Sequence, residues 1–153
     1  MFAEAQKQVE RAIELRRHTL GSEHPDTLNS RNELAVLERR QGNNHEAEVL
    51  LSSVVESRRR VLGKEHRDTL ISINDLALIY DDLGKYTQAE SLLRSAVDAW
   101  RRRGDSEIET LTSTINLARI YRDARANTGR QSPFSYGRSL RSVECRAMSI
   151  PTR

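Results

Sequence analysis

Residues Leu20–Leu28 read LGSEHPDTL, and residues Leu62–Leu70 read LGKEHRDTL. The two strings lie 42 residues apart, and about half the positions of the full unit are identical between the copies. A third copy begins at Gly104 and runs GDSEIETLTSTINLARIY, one residue shorter. A half copy opens the chain: EAQKQVERAI, from Glu4, lies in register with EAEVLLSSVV and QAESLLRSAV. Self-similarity at a fixed period of this length marks stacked repeats, so the period decides the fold before any single residue does.

Each unit reads as two helices. The first is expected over Pro25–Arg40, Asp68–Leu83 and Glu109–Asp123, and the second over Asn44–Val61 and Tyr86–Arg102. Pro25 suits a first helical position, and Asp26 suits the positive end of the helix dipole. Leu28, Leu34, Ala35 and Leu37 make one apolar stripe, and Leu70, Ile73, Leu76, Ala77 and Tyr80 make its counterpart. Gly42 and Gly84 are the stops. A lone hairpin of this kind cannot bury its apolar face, so neighbours must stack into a solenoid.

The string Leu76, Ala77, Tyr80, Gly84, Tyr86, Ala89, Glu90 resembles the tetratricopeptide repeat. With LG-x-EH-x-DTL between hairpins, the unit is similar to the kinesin light chain type, which is longer than the usual ~34 residues. The resemblance covers Met1 to Asp123. It implies an all-α fold of antiparallel hairpins stacked as a solenoid. Glu38 stands where Tyr80 and Tyr121 stand, and Asn44 where Tyr86 stands, which implies looser packing in the first full repeat. Phe2 takes the place of Tyr86 in the half copy. The ends look like those of a slice from a longer array.

Composition agrees with a helical core of Leu and Ala: 37% hydrophobic, only 5% aromatic. One cysteine, Cys145, cannot form an internal disulfide, which points away from a secreted scaffold. No apolar run approaches the ~20 residues that span a membrane. The N-terminus lacks a signal-peptide core. A cytoplasmic chain with no membrane partner is expected. The formal charge of +3 invites a nucleic-acid reading, but five arginines and one glutamate lie from Ala126 onward. The helical body is therefore near neutral, its basic groups alternating with acids, and no nucleic-acid partner is expected.

Residues 124–153 depart from the pattern. They are Arg- and Ser-rich, without an apolar period, where a glycine, a tyrosine and an AESLL-like helix should follow. A permissible codon set for Ala124–Tyr136, read two bases later, encodes TGKYGPAESLL. Met148–Arg153, treated the same way, encodes EHPDT. The tail therefore reads as the next repeat translated out of frame, with an ordinary disordered tail as the alternative. On the first reading its arginines, Cys145 and Tyr136 carry no functional weight. On either, no packed structure is expected there.

Candidate chemistry is sparse. Glu23, His24 and Asp26 recur as Glu65, His66 and Asp68. Such residues could bind metal or move protons, but recurrence in each unit argues for a structural role. His18 and His45 are isolated. No phosphate loop, Cys/His cluster or nucleophile motif is present, so no catalysis, metal or cofactor is expected.

The inner face of the first helices is the better candidate. Asn32 and Asn74 are equivalent, four residues before Val36 or Leu78 and seven before Arg39 or Asp81, which puts each set on one helix face. The resemblance implies that this face lines a concave groove and that the asparagine helps hold a peptide. An amide both donates and accepts, so it can grip extended backbone. Ile115 takes the asparagine's place in the third unit. Arg39, Arg119 and Arg122 would suit an acidic peptide, and Asp81 and Asp82 interrupt them; these could also be plain solvated polar positions. The resemblance implies a non-catalytic protein–protein scaffold: a cargo adaptor, or the sensor region of a larger nucleotide-binding signalling protein. A non-functional fragment of such an array is the alternative.

Overall fold

The computed structural model describes residues 2–104 and 107–128. These form α1 (Phe2–Leu20), α2 (Pro25–Gln41), α3 (Asn44–Val61), α4 (Arg67–Asp82), α5 (Tyr86–Arg103) and α6 (Glu107–Thr128). The span of α3 matches expectation, while α2, α4 and α5 differ by one residue at an end or at both. Helix α6 runs on past Asp123 to Thr128. Ala124, Arg125 and Ala126 are strong helix formers, and the next glycine is Gly129. The expectations for residues 129–153, out-of-frame repeat and disordered tail alike, lie outside the described residues.

Every helix packs on its neighbour in sequence. Helix α4 also touches α2 and α6, whereas the backbones of α1, α3 and α5 stay apart. The first-helix layer is thus the tighter one, and α2, α4 and α6 line the concave side of a stack of hairpins, an α-solenoid.

The repeated LG-x-EH-x-DTL string builds the joint between hairpins. His24 Nδ1 accepts from the Asp26 N–H at 3.2 Å, and His66 does the same for Asp68 at 3.2 Å. Each histidine therefore satisfies one orphan donor at a helix N-terminus. Thr27 and Thr69 donate to the carbonyls of Gly21 and Gly63 at 2.8 and 2.9 Å. Glu23 pairs with Arg60, and Glu65 with Arg102 at 2.8 Å. The structural role expected for these residues is what the geometry displays.

Leu28, Ala35, Ala47, Leu51, Val54, Leu70, Ile79, Ala96 and Trp100 form the main core, all essentially inaccessible. Ala77, Ala89, Leu93 and Ile120 form a second cluster towards α6. Arg58 is also buried, donating to the Asp68 carbonyl at 2.9 Å, Ser72 Oγ at 2.5 Å and Asn29 Oδ1. Arg16 makes the equivalent bonds to Asp26 and Ser30, and Trp100 fills the place in the next unit. Glu38, in the tyrosine position, is buried and accepts from Gln6 at 2.9 Å and Asn43 at 2.7 Å. At Glu38 a satisfied polar cluster thus fills the tyrosine's place, whereas at Asn44, the other position where looser packing was expected, Oδ1 is buried without a hydrogen-bond partner.

Candidate functional site: the concave face

Asn32, Val36 and Arg39 lie on α2, Asn74 and Leu78 on α4, and Arg119 and Arg122 on α6, the three helices of the concave layer. Val36 and Leu78 are half-buried between the polar rows. The polar side chains reach mainly to the next helix of the same layer. Asn32 Nδ2 donates to Asp75 at 3.0 Å, and Ser72 donates to Asn32 Oδ1 at 2.6 Å. Asn74 Nδ2 donates to Ser113 at 2.8 Å. A polar ladder therefore stitches α2 to α4 and α4 to α6.

An amide has two donor hydrogens and two acceptor lone pairs. The ladder uses one of each at Asn32. At Asn74 it uses one donor, and Oδ1 is buried without a partner. Ile115 continues the row on α6 and is 59% exposed.

The arginines are matched by acids of the adjoining unit. Arg39 Nε meets Asp82 at 2.5 Å, and Arg119 Nη2 meets Asp81 at 2.9 Å. Arg122 pairs with Asp123 at 2.9 Å on its own helix and remains exposed. An acidic ligand would have to compete with these aspartates. Burial raises the Asp81 carboxyl above the ordinary range, against the hydrogen bond and charge of Arg119, and Asp123 and Asp82 push the same way as burial. Burial likewise raises Asp75, opposed by the Asn32 hydrogen bond and by Arg39 and Arg58.

Sequence reasoning placed these residues on one face and missed their partners, Ser72, Asp75 and Ser113. The available signal was the recurrence of Ser30, Ser72 and Ser113 two residues before the asparagine position. Among the described residues no group of three or more His, Cys, Asp or Glu is placed to hold a metal. No helix among them is long and apolar enough to cross a membrane.

Paired helices stacked with a laddered concave face define a helical-repeat scaffold. Matches to the tetratricopeptide repeat family over residues 1–59 and 26–102 make the relation definite: the chain belongs to that family, and its 42-residue units are similar to those of a kinesin light chain. The crystal structure of a kinesin light chain with nearly identical TPR-like repeats from Podosopora anserina is similar at 34% identity and a TM-score of 0.73. The similarity covers 80% of this chain and 58% of that one, so this chain spans less than two thirds of its length. A variant of that protein matches equally. BtubC (BKLC) of P. vanneervenii shares the fold, with a TM-score of 0.69 at 17% identity over 99% of this chain and 60% of that one. No curated protein matches.

Proposed function

We propose that the chain is a non-catalytic protein–protein interaction scaffold that holds an extended peptide along α2, α4 and α6. The observation that carries this reading is the row of half-buried Val36 and Leu78 beside the half-buried amide of Asn32, whose ladder bonds leave one donor and one lone pair unused. Val36 and Leu78 would take apolar ligand side chains, and the Asn32 amide would take ligand backbone. The ligand carries few charges or is mixed in charge, since Asp81 and Asp82 already neutralise Arg119 and Arg39. Arg122, exposed at the edge, is the residue through which an acidic ligand would gain most.

Peptide display against the whole chain tests this. Selected peptides should bind Val36→Arg and Leu78→Arg variants far more weakly, and should bind Arg59→Glu, a change on an exposed second-helix residue, as they bind the parent. Equal binding to all three variants would place the ligand elsewhere and overturn the reading.

A second reading, a non-functional piece of a longer array such as the sensor region of a nucleotide-binding signalling protein, draws support from the shifted-frame strings TGKYGPAESLL and EHPDT. Transcript sequencing across the codons for Asp123 to Arg153 decides it: restoration of that frame supports it, and an intact present frame sinks it.

A further inference from the structure

Leu111 is 60% exposed, although its equivalents Leu28 and Leu70 are 0% and 1% exposed. Ala118 is exposed, although Ala35 and Ala77 are fully buried. The repeats themselves reveal what covers this face elsewhere. A second helix does: α3 lies on α2 and α5 lies on α4. Ala35 and Ala47 share one core cluster, and Ala77 and Ala89 share the other, so the two helices of each unit meet through small residues.

The sequence after α6 does not repeat the small and apolar residues of that cover. In register with Ala89 and Val97 stand Arg130 and Arg138. A guanidinium cannot enter a crossing sized for alanine without leaving its charge unpaired.

Helix α1 does supply it. Its Ala5, Val9, Ala12 and Ile13 lie in register with Ala47, Leu51, Val54 and Val55 of α3. Ala5 is exposed and Val9 half-exposed, whereas Ala47, Leu51, Ala89 and Leu93 are fully buried. Among the described residues, α1 thus has the pattern of a second helix and packs on α2 alone, and α6 has the pattern of a first helix whose only second-helix neighbour is α5. Antiparallel seating also brings the end bearing Glu4 beside the end bearing Arg122.

We infer that the chain associates head to tail, with α1 of one copy seated on the open face of α6 of another and completing a repeat between them. The contact is heterologous: each copy uses α6 once and α1 once, so association does not stop at a dimer. The concave layer of one copy then continues into that of the next. The inference rests on the repeat geometry and is independent of which peptide the groove binds.

The test is the mass of the whole chain in solution as a function of concentration, by sedimentation equilibrium, for the parent, Ala5→Glu and Ala118→Glu. Both alanines are exposed in the single chain, so the fold should stand, as circular dichroism checks. The parent should grow beyond a dimer. Each variant should lose about a hundredfold in association, because a buried unpaired carboxylate costs several kcal/mol. An equimolar mixture of the two variants should recover a dimer and nothing larger, since one intact α6 then meets one intact α1. Leu111→Glu should behave as Ala118→Glu does. A parent that stays monomeric, variants that associate like the parent, or a mixture that forms no dimer would each overturn the inference, as would association lost in Ala118→Glu but kept in Ala5→Glu, which would point to α6 packing on α6.

Discussion

Arg58 carries a guanidinium into the core, where burial pulls its pKa below the ordinary value against the opposing charges of Asp68 and Asp75. It stays charged at any physiological pH, and three acceptors hold it. Arg58→Met should therefore cost about 2–4 kcal/mol in urea unfolding, because it removes a charged donor from Asn29, the Asp68 carbonyl and Ser72, which keeps only its bond to Asn32. Adding Ser72→Ala should cost less than the two single changes together. Full additivity would mean that the bridge does not hold in solution. The neighbouring carboxylate makes the opposite case. Asp75 has a raised pKa, so the folded state binds its proton more tightly than the unfolded one. Its contribution to stability falls as pH rises from about 3.8 through the raised native value. Asp75→Asn keeps an acceptor for Asn32 and removes the buried charge. It should be more stable than the parent at neutral pH, with the difference closing below that window. Greater stability of the parent at neutral pH would mean that attraction to Arg39 and Arg58 outweighs burial. None of this was legible in the sequence. Arg58 sits in a run with Arg59 and Arg60 that reads as the basic last turn of a helix, and only the fold tells which of the three points inward.

At the scale of the element, the helices were legible because period, breaker and cap agree. Left-handed glycines recur at Gly21, Gly42, Gly63, Gly84 and Gly104, one at the end of each of the first five helices. The half-unit spacing repeats as faithfully as the 42-residue period. Their φ values run from +66° to +100°, a region that costs other residues about 1 kcal/mol or more. The end of α6 was not legible, because helix formers run on past the expected boundary and no glycine intervenes before Gly129. The histidines teach a different lesson. Recurrence identified them as structural, yet the role needed geometry: Nδ1 of His66 takes the Asp68 N–H, as a serine or aspartate cap would. His66→Ala should cost about 1 kcal/mol, and His66→Ser should recover most of it. The comparison is made by thermal unfolding of the two variants beside the parent. If serine fails to rescue, the ring is held for its packing and not for its lone pair. The asparagine face followed the same course: the helix period put Asn32 and Asn74 on one side, but their partners depend on cross-helix register, which a single helix pattern does not contain.

For the whole molecule, repetition turns one measurement into three. Leu28, Leu70 and Leu111 are the same residue at the same place in successive units, with the same chemistry and local sequence role. Among the described residues, a second helix covers the first two and none covers the third, and their burial differs accordingly. Large-to-small changes in a closed core cost the transfer energy plus a cavity, about 2–5 kcal/mol for Leu→Ala. Leu28→Ala and Leu70→Ala should fall in that range, and Leu111→Ala should fall below about 1 kcal/mol in dilute solution. Stability in a solenoid is close to a sum over units and their interfaces, so the three costs report the cover on each unit separately. Concentration then separates the sources of cover on α6. A Leu111→Ala cost that is small in dilute solution and grows with protein concentration belongs to a second copy. A cost as large as that of Leu70→Ala at every concentration belongs to the chain's own residues after Thr128, and would refute an open α6 face.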